Sequence, residues 1–141
     1  MVLMLSLFVL VSYAQSSDSW SEFAKTKFEP KYYEKLGEYL FVPKFSEQLK
    51  SMVGKEISIQ GYYVPFAPEG DSYIVISKFP MSQCFFCGGA GPESIAEVNF
   101  SKSTPKFQVD DLITVRGKLK LNTDDVNHVN FILTDAILVT K

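Results

Sequence analysis

Residues 55–64 have the sequence KEISIQGYYV, in which two kinds of side chain alternate. Ile57, Ile59 and Tyr63 stand at odd positions, and the residues between them are largely polar. A period of two is typical of a β-strand that turns one face toward a core. Pro65 has no backbone N–H and therefore ends regular pairing. This stretch predicts a long strand and sets the fold class for the chain.

Four more segments downstream have strand character. They are residues 73–77, 95–100, 112–121 and 129–139. In the last of them, Asp135 and Ala136 interrupt the apolar pattern and predict a β-bulge or a bend. Turn-forming residues at 67–71 and 122–125 separate neighbouring strands. Five strands with no long helix between them predict a mainly β fold, an OB-like Greek-key barrel, whose closure removes exposed strand edges.

The N-terminal residues 1–14 predict a signal peptide. A largely apolar run over residues 2–11 is followed by the small residues Ser12 and Ala14, which suit a cleavage site before Gln15. The run is shorter than the ~20 residues that a membrane span needs. We therefore expect a periplasmic or secreted protein, cleaved near Ala14, with no transmembrane span in the mature chain.

Residues 15–54 are predicted to form an N-terminal extension with short helices, ahead of the barrel over residues 55–141. Pro30 suits the first position of a helix over residues 31–39. Ser46 as N-cap and Gly54 as a stop predict a second helix over residues 46–53.

Composition bounds the class of protein. The chain has 141 residues, of which 46% are hydrophobic, which suffices for one domain with a single core. The formal net charge is −2. Non-specific nucleic-acid binding needs a strongly basic face, so we expect no nucleic-acid partner.

The residues best suited to bind a ligand or react lie at positions 84–92. This segment has the sequence CFFCGGAGP and contains both cysteines of the chain. One interpretation is a structural or resting disulfide between Cys84 and Cys87, or an inert thiol pair. Oxidation is permitted in an exported protein. A bridge across so short a loop fixes its shape more than it stabilises the domain.

A second interpretation is half of a metal site, because two thiolates at this spacing bind zinc or another soft metal ion. His128, the only histidine, is the candidate third ligand beside Cys84 and Cys87. Further carboxylates depend on the fold, and they are Glu93, Asp110, Asp111, Asp124 and Asp125. A partner chain is another source of ligands.

A third interpretation is thiol–disulfide exchange. A redox C-x-x-C usually begins a helix in a βαβ unit, whereas this pair lies between a strand and glycines. Phe85 and Phe86 are expected to raise the thiol pKa by desolvation. The glycines themselves predict a tight turn with positive φ, or alternatively an anion-binding nest.

Aromatic residues provide a candidate ligand face. OB barrels bind ligands on one face and in their loops, where rings form stacking platforms. Alternation places about half of these rings in the core. The candidates are Tyr62, Tyr63, Phe66, Tyr73, Phe79, Phe85 and Phe86.

Residues 20–139 resemble a family of bacterial exported OB-fold proteins of unknown function. The resemblance rests on the W-x-x-F opening at residues 20–23, Gly54-Lys55, and the sequence GYYVPF at residues 61–66. The later V-x-G-x-L segment at residues 115–119 also fits. The family's Cys-x-His pair and proline run are replaced here by a second cysteine and glycines, which indicates a sister branch. The resemblance implies an OB-like barrel in the cell envelope.

Together these patterns predict a non-enzymatic binding or interaction module of the periplasm or the exterior, with a cell-envelope protein as its partner. The alternative is a thiol–disulfide or metal-dependent enzyme, or a metal-handling protein, that uses the C-x-x-C. No cofactor is certain from the sequence, and zinc or another soft metal ion is the candidate.

Overall fold

The computed structural model describes residues 18–68 and 72–141; the predicted signal peptide and part of the predicted turn at 67–71 lie outside them. Two short helices, α1 and α2, and seven strands follow one another within these ranges. In chain order they are α1 (Ser19–Phe23), β1 (Lys27–Tyr33), β2 (Glu38–Lys44), α2 (Glu47–Ser51), β3 (Glu56–Val64), β4 (Tyr73–Ser77), β5 (Ile95–Phe100), β6 (Leu112–Leu121) and β7 (Phe131–Thr140).

Strands β3 to β7 close into a barrel with the order β3-β4-β5-β7-β6, which returns to β3. The pairing of β5 with β7 is parallel, and the other pairings are antiparallel. A closed five-stranded mixed barrel with this order is OB-like, as predicted. The predicted strands agree with the observed ones to within two residues at each end.

The bulge predicted at Asp135 and Ala136 is confirmed. Asp135 has a φ of 50°, and the pairing of β6 with β7 shifts register between Arg116 and Lys118. Gly117 lies opposite this irregularity, where a Cβ would stand 2.9 Å from the Thr134 carbonyl oxygen. The bulge therefore lets β7 bend across the barrel while its backbone passes close to β6.

The helix predicted over residues 31–39 is wrong, because β1 and β2 form an antiparallel hairpin there. Gly37 has a φ of 68° and closes the turn between the strands. Tyr32 and Tyr39 face each other across the ladder with ring centroids 5.1 Å apart. Cross-strand aromatic pairs favour a hairpin over a helix, and Pro30 is accommodated at a strand edge.

Helix α2 confirms the second predicted helix. The side chain of Ser46 accepts a hydrogen bond from the Leu49 backbone N–H at 3.1 Å, which caps the first turn. Gly54 follows the helix with a φ of 80°, a backbone conformation that suits glycine. Leu49 is completely buried and fixes the helix against the barrel core.

Helix α1 packs into the core of the barrel. Its Trp20 and Phe23 belong to the same buried core as the strands, and Phe23 stacks on Phe131 with centroids 4.1 Å apart. The indole N–H of Trp20 donates to the carbonyl of Gln60 at 2.7 Å. A Cβ at Gly61 would stand 3.2 Å from Trp20, so the glycine makes room for the indole. Helix α1 of the N-terminal extension is thus packed into the barrel's own core.

Candidate functional site

A groove of about 660 Å³ lies on the outer face of β4 and β5. Because side chains alternate along a strand, Ile74 and Ile76 point into the barrel core, whereas Tyr73, Val75 and Ile95 line the groove. Three segments rise around this floor. They are the β1–β2 hairpin, the cysteine loop (residues 84–92) and the β6–β7 loop (residues 122–130).

One wall of the groove is aromatic. Phe66, just after β3, stacks on Phe86 of the cysteine loop with centroids 4.3 Å apart and an interplanar angle of 24°. Phe85 meets Phe86 edge-on at 5.5 Å. Each of the three rings remains 36% to 40% exposed. Rings that stack on one another while staying accessible present a preformed apolar surface. Across the groove the hairpin contributes Phe28, Tyr33, Leu40, Phe41 and Val42.

The part of the lining that the β6–β7 loop contributes is acidic. The β6–β7 loop places Asp124 and Asp125 on the lining, and the described lining residues include no lysine or arginine. The backbone N–H of Asn127 donates to the Asp125 carboxylate at 3.0 Å and lowers the pKa of Asp125 below its ordinary value. Asp125 is therefore ionised at neutral pH, and the groove combines an apolar floor with a negative rim.

A buried carboxylate stands beside the groove. Glu97 of β5 is only 2% exposed. Its Oε2 lies 2.8 Å from Nδ1 of His128, and its Oε1 accepts a hydrogen bond from Asn99 at 2.8 Å. These partners offset the cost of burying a charged group. The hydrogen bond and the charge of Glu97 raise the pKa of His128 above its ordinary value.

His128 joins the groove to a second, polar cavity of about 280 Å³. Glu97, Asn99, Lys120 and Thr134 are among the residues that line this cavity. The ring of Tyr73 lies 5.7 Å from the imidazole. With Nδ1 held by Glu97, the imidazole side chain is 38% exposed. An imidazole held by a buried carboxylate is pre-oriented to exchange a hydrogen bond with a ligand.

The cysteine loop packs on the floor of the groove through Cys84. Cys84 is completely buried in a small apolar cluster with Val64, Val75 and Ile95. Cys87 is exposed. The carbonyl of Cys84 accepts hydrogen bonds from the backbone N–H groups of Cys87 and Gly89, each at 3.1 Å, which folds the loop into a tight turn.

Glycines complete this turn in two different ways. Gly88 has a φ of 78°, which confirms the predicted tight turn at that position. Gly89 has another role, since a Cβ there would stand 2.6 Å from the carbonyl oxygen of Gln83. The loop therefore folds closely back on the residue that precedes Cys84.

The two thiols are free and close enough to interact. Desolvation raises the pKa of Cys87, and the hydrogen bond and charge of Cys84 raise it further. His128, the predicted third ligand, does not join the two thiols; its Nδ1 pairs with Glu97 instead. Within residues 18–68 and 72–141 there is no group of three or more His, Cys, Asp or Glu side chains that could hold a metal ion.

The carboxylates that were candidates for further metal ligands form other hydrogen bonds or lie elsewhere in the fold. Asp111 accepts a hydrogen bond from Lys141 at 2.8 Å, and this contact lowers the pKa of Asp111. Asp110 accepts from the Met81 backbone N–H at 2.7 Å. The Glu93 carboxylate follows the cysteine loop and lies close to Gly91 of that loop. Asp124 and Asp125 lie on the rim of the groove.

The candidate aromatic ligand face is divided by the fold. Phe66, Tyr73, Phe85 and Phe86 line the groove. Tyr63 packs instead against the main core, 5.6 Å from Phe107. Tyr62 and Phe79 are half-buried and are not among the described lining residues of the groove.

Glu97 and Asn99 are not among the site residues predicted from the sequence. Both stand at alternate positions of a strand that is otherwise mainly apolar, on the outer side of the barrel. A carboxylate inside such a strand is a usable signal, because charged residues are rarely buried without a partner. Its partner His128, however, lies 31 residues away in the β6–β7 loop.

The chain matches no protein-family profile, no curated protein and no solved structure. No helix within residues 18–68 and 72–141 has the length and apolar character that a bilayer span requires. The groove, the Glu97–His128 pair and the thiol pair therefore define the candidate site on their own geometry.

Proposed function

We propose that this protein is a non-enzymatic binding module of the cell envelope, exported by its signal peptide to the periplasm or the exterior. Its groove holds an apolar, cation-bearing segment of a partner protein, that is, aromatic or aliphatic side chains next to lysine or arginine. The observation that carries this proposal is a groove with an aromatic wall and an acidic rim, in which the described lining residues include no lysine or arginine.

The position of the groove supports a binding role. OB barrels take ligands on the face of their second and third strands, between the loop after the first strand and the loop before the last. Here those elements are β4, β5, the segment after β3 and the β6–β7 loop, and all of them line the groove. This support is an analogy at the level of the fold, and the chemistry of the lining decides the ligand class.

The apolar part of the lining supports a hydrophobic anchor. A volume of about 660 Å³ lies within the range of ligand-binding clefts. Accessible rings such as Phe66, Phe85 and Phe86 supply large contact areas at low entropic cost. Most of the binding free energy at protein interfaces comes from a few such anchors that fill pockets.

The charged part of the lining supports a cationic neighbour to that anchor. Asp124 and Asp125 attract lysine or arginine and repel phosphate and carboxylate groups. A nucleic-acid backbone would need basic residues in place of these carboxylates. His128, held by Glu97, supplies one further polar contact at the inner end of the groove.

In this proposal the cysteine loop forms a wall of the groove. Phe85 and Phe86 lie between the two cysteines, so a disulfide or a bound metal ion at Cys84 and Cys87 would fix the aromatic wall in place. The alternative function, a thiol–disulfide enzyme or a metal-handling protein, uses the same two sulfurs. It is favoured by the contact between the thiols and by the exposure of Cys87.

Selection from a random peptide library tests the proposed ligand class. We expect peptides retained by the protein to combine aromatic or aliphatic residues with lysine or arginine, and to be lost from the double variant Phe66→Ala/Phe86→Ala. Val53→Ala is the control, because Val53 is exposed after α2 and is absent from the described lining. Retained peptides rich in Asp and Glu, or retention unchanged in the double variant, would refute the proposal.

A further inference from the structure

We propose that Cys84, Cys87 and Met81 form a binding site for a soft monovalent metal ion, copper(I), with silver(I) as its chemical substitute. The metal site and the groove take ligands of different chemical classes, and either proposal can fail without the other. Three sulfur atoms at positions 81, 84 and 87 recur every third residue along two successive tight turns.

The thiol pair supplies the two essential ligands. Cys84 and Cys87 flank a single turn, in which the Cys87 N–H donates to the Cys84 carbonyl at 3.1 Å. The same turn brings the two thiols close enough to interact. An ion that accepts two thiolates can therefore bind with little movement of the backbone.

The surroundings select for a low coordination number. Zinc in structural sites takes four ligands, usually Cys and His. No third Cys, His, Asp or Glu joins this pair within the described residues, and the only histidine is committed to Glu97. Copper(I) and silver(I) are soft ions that two thiolates can satisfy, with a thioether as an optional third ligand.

Met81 is that third donor. Its carbonyl accepts the Cys84 N–H at 3.3 Å, so both residues belong to one turn. The side chain is half-buried and packs against the apolar cluster that contains Cys84. Asp110 accepts the Met81 N–H at 2.7 Å and anchors this turn to the loop before β6.

The two cysteines differ in exposure, and this difference suits both the capture and the retention of an ion. Cys84 lies in an apolar cluster that excludes water, which protects a soft ion from oxygen ligands. Cys87 is exposed and offers the first contact to an ion delivered by a carrier. Gly88 follows without a side chain and with open space around it, so no Cβ covers this approach.

Binding involves no change in oxidation state. One monovalent ion replaces the two thiol protons and forms two metal–sulfur bonds, and both protons pass to the solvent. The product carries one negative charge at the two sulfurs. Affinity should therefore increase as pH rises, because the ion competes with protons for both thiolates.

Competition with a chromophoric copper(I) chelator under reducing, anaerobic conditions tests the site. We expect one copper(I) per chain for the wild-type protein. Cys87→Ser should weaken binding by about 100-fold or more, beyond the usual effect of altering groups around a site, and Met81→Leu by about tenfold. Met52→Leu is the matched control, because Met52 packs against the main core, away from the cysteine loop.

Circular dichroism melts of each variant separate loss of the site from loss of the fold, and the exposed position of Cys87 makes its serine variant the decisive one. Equal chelator competition by wild type and Cys87→Ser would overturn the proposal. Stoichiometric zinc retention in place of copper(I) would overturn it as well. Neither result bears on peptide binding in the groove, which is measured with the metal-free protein.

Discussion

Nδ1 of His128 lies 2.8 Å from Oε2 of Glu97, a carboxylate that is 2% exposed on β5. The contact links the β6–β7 loop to the floor of the groove, because β5 also contributes Ile95 to that floor. A buried charge is costly unless it is paired. A buried carboxylate paired with a histidine beside a groove is therefore a candidate functional feature.

The protonation of His128 should respond to its neighbours in opposite directions. Glu97 raises the pKa of His128, chiefly through their hydrogen bond, whereas Lys120 lowers it. We therefore expect Glu97→Gln to lower the pKa of His128 and Lys120→Gln to raise it. Because His128 is the only histidine, its ring protons can be followed by NMR without ambiguity. Shifts in the same direction for both variants would contradict this arrangement.

Stability should depend on pH through the same pair. The folded-state pKa of His128 is raised. Its contribution to stability is thus complete below the unfolded value of about 6.5 and is lost as pH rises through the folded value. His128→Gln should remove this part of the pH dependence, measured as the difference in urea midpoint between the two proteins across that range. A difference that grows with rising pH would have the wrong sign.

The Phe66–Phe86 stack should matter for binding more than for folding. Both rings are partly exposed, so Phe66→Ala is expected to cost only about 0.5–1.5 kcal/mol of stability from the lost ring contact. Affinity for a groove ligand should fall with it, because the same ring forms the wall. Thermal melts and calorimetric titration with a selected peptide separate the two effects, and the control Val53→Ala should change neither.

Two adjacent glycines should respond differently to substitution. Gly88 has positive φ with open space around it, so Gly88→Ala should cost about 1 kcal/mol of stability, and Gly88→Asn less, since Asn tolerates this conformation. Gly89→Ala would place a Cβ against the backbone of Gln83 and must displace the turn. We expect a larger loss at Gly89, together with faster reaction of Cys84 with a thiol reagent. Equal effects would contradict the tight packing of the loop.

The part of the core that α1 contributes should be sensitive as well. Phe23 is completely buried and stacks on Phe131. Phe23→Ala should destabilise the protein by about 3–5 kcal/mol, as for other large buried aromatics. Ala24→Ser, at the exposed C-cap position of α1, serves as the control in the same denaturant titration. A small effect of Phe23→Ala would mean that α1 is not an integral part of the barrel core.

The barrel could be predicted from the sequence because its strands carry local signals. The alternation from Ile57 to Tyr63, the turns between strands and the bulge at Asp135 each act over a few residues. The hairpin was missed because Pro30 and Gly37 fit either a helix start and end or a strand edge and turn, and the pairing of Tyr32 with Tyr39 that decides between them is visible only in the fold.

The candidate site was harder to predict, because it is made of residues distant in sequence. Phe66 and Phe86 meet across 20 positions, and Glu97 and His128 across 31. Burial also divides residues that looked equivalent, so Tyr63 enters the core while Tyr73 lines the groove. The cysteine motif lies in a loop that lines the groove, but the spacing of two thiols alone does not state which ion or partner they meet.

The most direct test of the groove uses two small probes that differ only in charge, phenethylammonium and 3-phenylpropionate, titrated into isotope-labelled protein and followed by NMR. We expect the cation to shift the backbone signals of Phe66, Phe86 and Asp125 and to bind more tightly than the anion. The double variant Asp124→Asn/Asp125→Asn should remove this preference. Tighter binding of the anion, or shifts confined to residues outside the groove, would contradict this expectation.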